Sequence, residues 1–334
     1  MSEAPQRIPE LASDDRVGCV VLLGTQRFDE TLGSIVRRLE CDDGPIALIT
    51  AGWQDREDED QALHTHLACE TINLRLYNRT DDVYGRDPEL ATAHRAKQTK
   101  LRHKQDFYRI RLEHELAANH VIRQRSAPDD VLVEEEQASV AAIRSLDAYH
   151  LAACQRVRRE FETEIDLWQR PAIVEHRQEL AEILGRCKAV AIAGGHVAAL
   201  LNRMRLFGVD ELLGGQTIFA WSGGGMVTSD RIVLYHDSPP QGRGASEILD
   251  EGLGLVRNVV MLPHPETRLR LGDPERVGLL ARRFDPALCL AFPEGSHLIV
   301  RPDERVASSV VQLLEDGSHL AYSSESGSES GGPQ

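Results

Sequence analysis

Short apolar runs punctuate both ends of this chain and are missing from its middle. Val17–Leu23 (VGCVVLL), Pro45–Thr50 (PIALIT), Ile72–Tyr77 (INLRLY), Ala189–Ala193, Thr217–Trp221 and Arg231–Tyr235 (RIVLY) read as strands, followed by Val259–Leu262 (VVML), Ala287–Phe292 (ALCLAF) and a pairing strand, His297–Val300. Most are apolar throughout, as expected of parallel strands covered on both faces. Between them lie amphipathic segments that fit helices: Asp29–Leu39, Ala62–Cys69, Val197–Phe207 and Arg276–Arg283. The Val197–Phe207 segment carries Leu200, Leu201, Met204 and Phe207 on one stripe. The opening order β-α-β-α-β predicts an α/β fold with a doubly wound, mostly parallel sheet.

From about residue 88 to 184 glycine disappears and Ala, Leu, Glu, Gln and Arg dominate, which predicts a long helical insertion. Ser126-Ala127-Pro128-Asp129-Asp130 interrupts it, separating a helix over about 88–125 from a second over about 131–168, and Pro171 opens a third leading to Gly185. The chain therefore divides into a flexible leader (1–16), one α/β domain (17–87 with 185–322), the insertion (88–184) and an acidic tail disordered by composition (323–334).

Charge and composition narrow the partners. A net charge of −15 over 334 residues argues against nucleic acid and anionic membrane surfaces. The polar, acidic N-terminus is no signal peptide, and no apolar run approaches a membrane span. Cys19, Cys41, Cys69, Cys154, Cys187 and Cys289 show no CxxC spacing and read as reduced thiols of a cytoplasmic protein. The acid-dense run QDREDEDQ after the second strand reads as the solvated start of a helix. The insertion holds His94, His103, His114, His120, His150 and His176, none in the Glu-x-x-His spacing of carboxylate-bridged bundles, so neither metal nor cofactor is expected.

Candidate chemistry gathers at strand ends, where parallel sheets place their sites. Ser222 stands in a glycine turn after Thr217–Trp221. A sharp bend there lifts the hydroxyl out of the sheet and frees backbone N–H groups beside it. A serine hydroxyl needs an imidazole to take its proton, and the imidazole needs a carboxylate to fix its tautomer and stabilise its charged form. His264 and Glu294 follow the later apolar strands Val259–Leu262 and Ala287–Phe292, giving the chain order Ser, His, acid, and Asp237, after Arg231–Tyr235, is a second candidate for the acid. Gly195 and Gly223 N–H are placed to stabilise an oxyanion. AWSGG is an irregular elbow, with Ala220 where Gly-x-Ser-x-Gly has its first glycine. A Pro- and Gly-rich loop, HDSPPQGRGAS, reads as a flap over the crevice.

Four segments carry a resemblance: GGHVAALLNRM (194–204), FAWSGGGMV (219–227), EGLGLVRNVVMLPHPETRLRL (251–271) and LCLAFPEGSHLIV (288–300). Together they resemble the cyanophycinase and aspartyl dipeptidase family of serine peptidases, which have the class I glutamine amidotransferase-like fold. The match spans roughly the last 150 residues, and over the first 80 or so it holds in strand order only. It implies Ser222 as nucleophile, Gly195 and Gly223 as oxyanion donors and His264 as base. It supports Glu294 as the acid by the cyanophycinase branch and Asp237 by the dipeptidase branch, with Glu294 favoured. Family substrates contain an aspartyl residue, whose carboxylate calls for a cation; Arg243, Arg268 and Arg270 are the candidates. His196 stands where the family has asparagine, Gly223 where it has alanine, and Pro293 where an acid often precedes the late glutamate.

Two function classes follow. The first is a serine hydrolase cleaving an amide bond of an aspartyl peptide or related small amide through an acyl-enzyme. The second is a catalytically degenerate binding or assembly protein on the same fold, with the insertion as interaction surface and a homodimer as its simplest partner. A glutamine amidotransferase proper would need a cysteine at the elbow, and none is there.

Overall fold

A computed structural model describes residues 8–13, 16–26, 30–235 and 246–323. The chain begins with β1 (Glu10–Leu11) and β2 (Val17–Leu23), then alternates α1 (Leu32–Arg38), β3 (Ile46–Ile49), α2 (Gln61–Leu67), β4 (Thr71–Asn73) and α3 (Leu76–Arg86). Two long helices, α4 (Pro88–Arg123) and α5 (Asp129–Ile165), pack on each other and lead into α6 (Pro171–Leu184). The alternation resumes with β5 (Ala189–Ile192), α7 (Val197–Leu206), β6 (Gln216–Trp221) and α8 (Gly223–Thr228). After β7 (Arg231–Leu234), β8 (Glu247–Glu251) and β9 (Val256–Arg257) come β10 (Val259–Pro263), α9 (Pro265–Arg268), α10 (Pro274–Phe284) and β11 (Leu288–Phe292). The chain ends in β12 (His297–Val300), β13 (Arg305–Ser308), β14 (Val311–Leu313) and β15 (His319–Ala321).

The fold is mixed α/β with a largely parallel central sheet, ordered β13-β12-β2-β6-β5-β3-β4. β2, β6, β5, β3 and β4 run parallel, while β12 and β13 close one edge antiparallel. A second sheet, β10-β11-β14-β15, carries a parallel pair followed by antiparallel strands. The strand ends thus belong to two sheets where the sequence suggests one.

Alternation along β10 and β11 explains how the sheets stack. Val259, Met261, Leu288, Leu290 and Phe292 face the core shared with Val20, Leu22, Ile49, Val190, Ile192 and Ile218 of the central sheet. Val260, Leu262, Cys289 and Ala291 face outward, onto α10 and onto Tyr108, Leu112, Ile143 and Leu146 of the long helices. The other face of the central sheet is covered by Leu32, Ile35 and Val36 of α1 and Leu67 of α2. The insertion therefore supplies an outer layer to the second sheet.

Several expectations need correction. The Ile72–Tyr77 run is strand only at its start: the chain turns at Arg75 (φ 52, ψ 44) and becomes α3. The reason lies in the acid run, where Glu57 is buried and its carboxylate accepts from the Tyr77 and Asn78 N–H groups, both at 2.9 Å. That pair caps α3 from 20 residues upstream. His297–Val300 pairs with β2 of the central sheet and not with the strand before it. Glu10 and Leu11, within the expected leader, pair with β9. The loop 236–245 lies outside the described residues. Among the described residues no helix is long and apolar enough to cross a membrane, and the six cysteines are free thiols.

Candidate active site

Three neighbouring strands of the central sheet deliver residues to one place. β2, β6 and β5 lie side by side and parallel, so Thr25, Ser222 and Gly195, each just beyond a C-terminal strand end, share one rim. β10 of the second sheet brings His264 to the same rim.

Ser222 joins β6 to α8 at φ 50, ψ −124, a backbone state rare for a residue with a side chain. Its hydroxyl makes no cap to α8 and instead lies 2.7 Å from His264 Nε2. His264 is itself left-handed (φ 59, ψ 45), caught between the end of β10 and Pro265 at the start of α9. Tyr235 fixes the bend by donating its hydroxyl to the Pro263 carbonyl.

The other imidazole nitrogen finds a neutral partner. Thr25 Oγ1 lies 2.9 Å from His264 Nδ1. Base chemistry needs the tautomer in which Nδ1–H donates to Thr25 and the Nε2 lone pair accepts from Ser222. Thr25 arrives there because Gly24 N–H donates to the Ser296 carbonyl at 2.9 Å, drawing β2 under the Pro293–Ser296 turn. A Cβ on Gly24 would lie 1.8 Å from the Pro293 carbonyl oxygen, so only glycine fits.

Glu294 comes to the rim on that turn without bonding to the ring. Its N–H reaches the Glu266 carboxylate at 3.3 Å, and both carboxylates act on His264 only through their charge. Where the sequence reading looks for an acid on Nδ1, the structure has Thr25. The signal was present, since Thr25 also follows an apolar strand, but a search for charged partners passes over a hydroxyl. Asp237, the other candidate acid, lies outside the described residues, as does Arg243.

The glycine turns flank Ser222 closely. A Cβ on Gly194 would lie 2.8 Å from Ser222 Cβ and 3.2 Å from the Gly223 nitrogen. Gly195 sits at φ 117, where a Cβ would meet the Gly52 carbonyl oxygen at 2.4 Å. Among the described residues, neither Gly195 N–H nor Gly223 N–H donates to a partner. His196 turns its side chain to the helix, accepting from Ala199 N–H at 3.1 Å as the N-cap of α7. Arg268 and Arg270 are exposed on the His264 side of the rim.

Burial pushes the His264 imidazole below the usual histidine range; Arg268 lowers it further, while Glu266 and Glu294 raise it. The neutral ring is the form that accepts a proton, and it exists above the pKa. The acid limb of kcat/KM is therefore expected below the ordinary histidine range, with activity lost as pH falls through it. Arg268→Leu removes a cation and should move the limb up, whereas Glu294→Gln should move it down. A limb that ignores both substitutions in a pH profile would show that another group controls the rate.

No protein-family model matches this chain, and no curated protein matches it. Among solved structures it is similar to a "Putative Peptidase E Protein" from Listeria monocytogenes EGD-e, at 17% identity and a TM-score of 0.29, covering 39% of this chain and 64% of that one. The chain thus spans less than two thirds of that structure, and a likeness this distant carries no argument about activity. The family resemblance rests on the sequence motifs alone.

Proposed function

We propose that this chain is a serine hydrolase that opens an amide bond of a small aspartyl peptide or related amide through an acyl-enzyme. The observation that carries the reading is the 2.7 Å approach of Ser222 Oγ to His264 Nε2 at a strained strand-to-helix turn. In this mechanism His264 takes the hydroxyl proton as Oγ attacks the carbonyl carbon. Gly195 and Gly223 N–H receive the negative charge that forms on the carbonyl oxygen. His264 then gives its proton to the leaving amine, leaving an ester on Ser222. Water attacks that ester by the reverse use of the same ring, releasing the acid and restoring the hydroxyl. Arg268 is suited to receive a substrate carboxylate, being exposed beside His264.

A fluorophosphonate reagent tests the central claim, because it reacts with an activated serine through its oxygen. Peptide mapping is expected to place the label on Ser222, with labelling slowing as pH falls through the His264 titration. A neutral Thr25 in place of an acid favours the second reading, a degenerate binding protein. An unlabelled Ser222 would support that reading and remove the hydrolase.

A further inference from the structure

A cavity that shares no lining residue with the Ser222 site lies between the two long helices of the insertion. It has a volume of about 490 Å³ and an apolar wall made by Ala93, Ala96, Val157, Phe161 and Ile165. Into it projects Lys97, whose Nζ stands 4.2 Å from the centre of the Phe161 ring. Among the described residues no carboxylate pairs with this amine, whereas its neighbour Lys100 reaches Glu160 at 4.0 Å. The chain has only four lysines, Lys97, Lys100, Lys104 and Lys188, against 34 arginines, so an amine in a cavity is a rare chemical feature here.

Burial pushes the Lys97 amine down to about 7; Arg205 adds to the effect, Glu162 opposes it, and Arg158 and Asp250 follow with the same two signs. The shift favours the neutral amine, whose lone pair is then available. Glu89 and Glu164 also line the cavity, and their charge disfavours an anionic ligand. The remaining ligand chemistry that suits an amine above an aromatic wall is a neutral, apolar carbonyl compound.

We propose that Lys97 is the binding nucleophile of a pocket for small hydrophobic aldehydes and ketones, held as an imine. The amine lone pair forms a C–N bond to the carbonyl carbon, and the carbonyl oxygen takes a proton. The resulting carbinolamine loses that oxygen as water while nitrogen gives up its second proton. One C=N bond replaces one C=O bond, one water is released, and no oxidant or reductant enters. The pocket does not depend on the hydrolase reading.

The test is reductive trapping of the full chain at pH 7 with benzaldehyde and cyanoborohydride, followed by mass-spectrometric mapping of the four lysines. Lys97 is expected to be benzylated at least about 10-fold faster than the exposed Lys104 and Lys188, with a smaller preference when glycolaldehyde replaces benzaldehyde. Ala96→Phe, at an exposed helix position on the cavity wall, should lower the benzaldehyde preference at least about 5-fold while the amine remains. Lys97→Arg should remove the fast-labelled site and leave the other three unchanged. Equal labelling of Lys97 and Lys104, equal preference for the two aldehydes, or no effect of Ala96→Phe would each overturn the proposal.

Discussion

Ser222→Ala is expected to lower kcat/KM for an amide substrate by roughly 10⁴-fold or more, leaving only what substrate binding and the oxyanion donors supply. The reasoning is chemical. Without Oγ no acyl-enzyme forms, and His264 has no proton to move toward a carbonyl. The loss should come without unfolding, because the Ser222 hydroxyl caps nothing in α8 and, among the described residues, bonds only to His264. Alanine carries the same Cβ, so the strained backbone at φ 50 is neither relieved nor worsened. Steady-state kinetics beside a thermal melt check both halves. A variant that keeps more than a tenth of the activity would move the nucleophile elsewhere.

Asp147→Ala should produce the largest loss of stability. Asp147 on α5 accepts from Arg283 Nε and Nη2, both at 2.6 Å, and from the Tyr108 hydroxyl at 2.7 Å. The Arg283 side chain is 2% exposed, so truncating Asp147 leaves a guanidinium buried without its counter-charge. Breaking such a pair from one side costs about 3–5 kcal/mol, which in a chain of this size lowers Tm by roughly 4–7 °C. The three residues also tie α4 and α5 to α10, which backs β11, so the damage reaches the second sheet. Replacing both partners, Asp147→Leu with Arg283→Met, should recover most of the loss, because no charge is then left alone. Thermal and denaturant melts of the single and double variants make the comparison. A single variant melting within about 2 °C of the parent would mean that water enters and solvates Arg283.

The parts of the fold written in local pattern were legible. Parallel strands such as Ile46–Ile49 and Ala189–Ile192 are buried on both faces and so appear as uninterrupted apolar runs. The long helices follow from composition, and the break before Asp129 follows from Pro128. What stayed hidden depends on partners distant in sequence. Nothing local in INLRLY says that Glu57 will cap a helix there. Nothing in HLIV says that it joins β2, since an apolar strand of four residues suits either sheet. Within the candidate site, apolar strand ends and glycine turns mark out Ser222 and His264, which lie 2.7 Å apart. Thr25 did not stand out, because its role comes from the close crossing of Gly24 under the Pro293–Ser296 turn, a contact between the two ends of the chain.

Thr25 has a consequence for how the site responds to its surroundings. A carboxylate partner for His264 would bring a second titration on the acid side, and salt would weaken its hold on the ring. A threonine hydroxyl does neither: it does not ionise in the working pH range, and a neutral hydrogen bond is almost blind to ionic strength. The hydrogen bond at Nδ1 therefore adds neither a titration nor a salt dependence of its own, and in the proposed hydrolase acid and salt reach the ring only through its own protonation and through the charges of Arg268, Glu266 and Glu294.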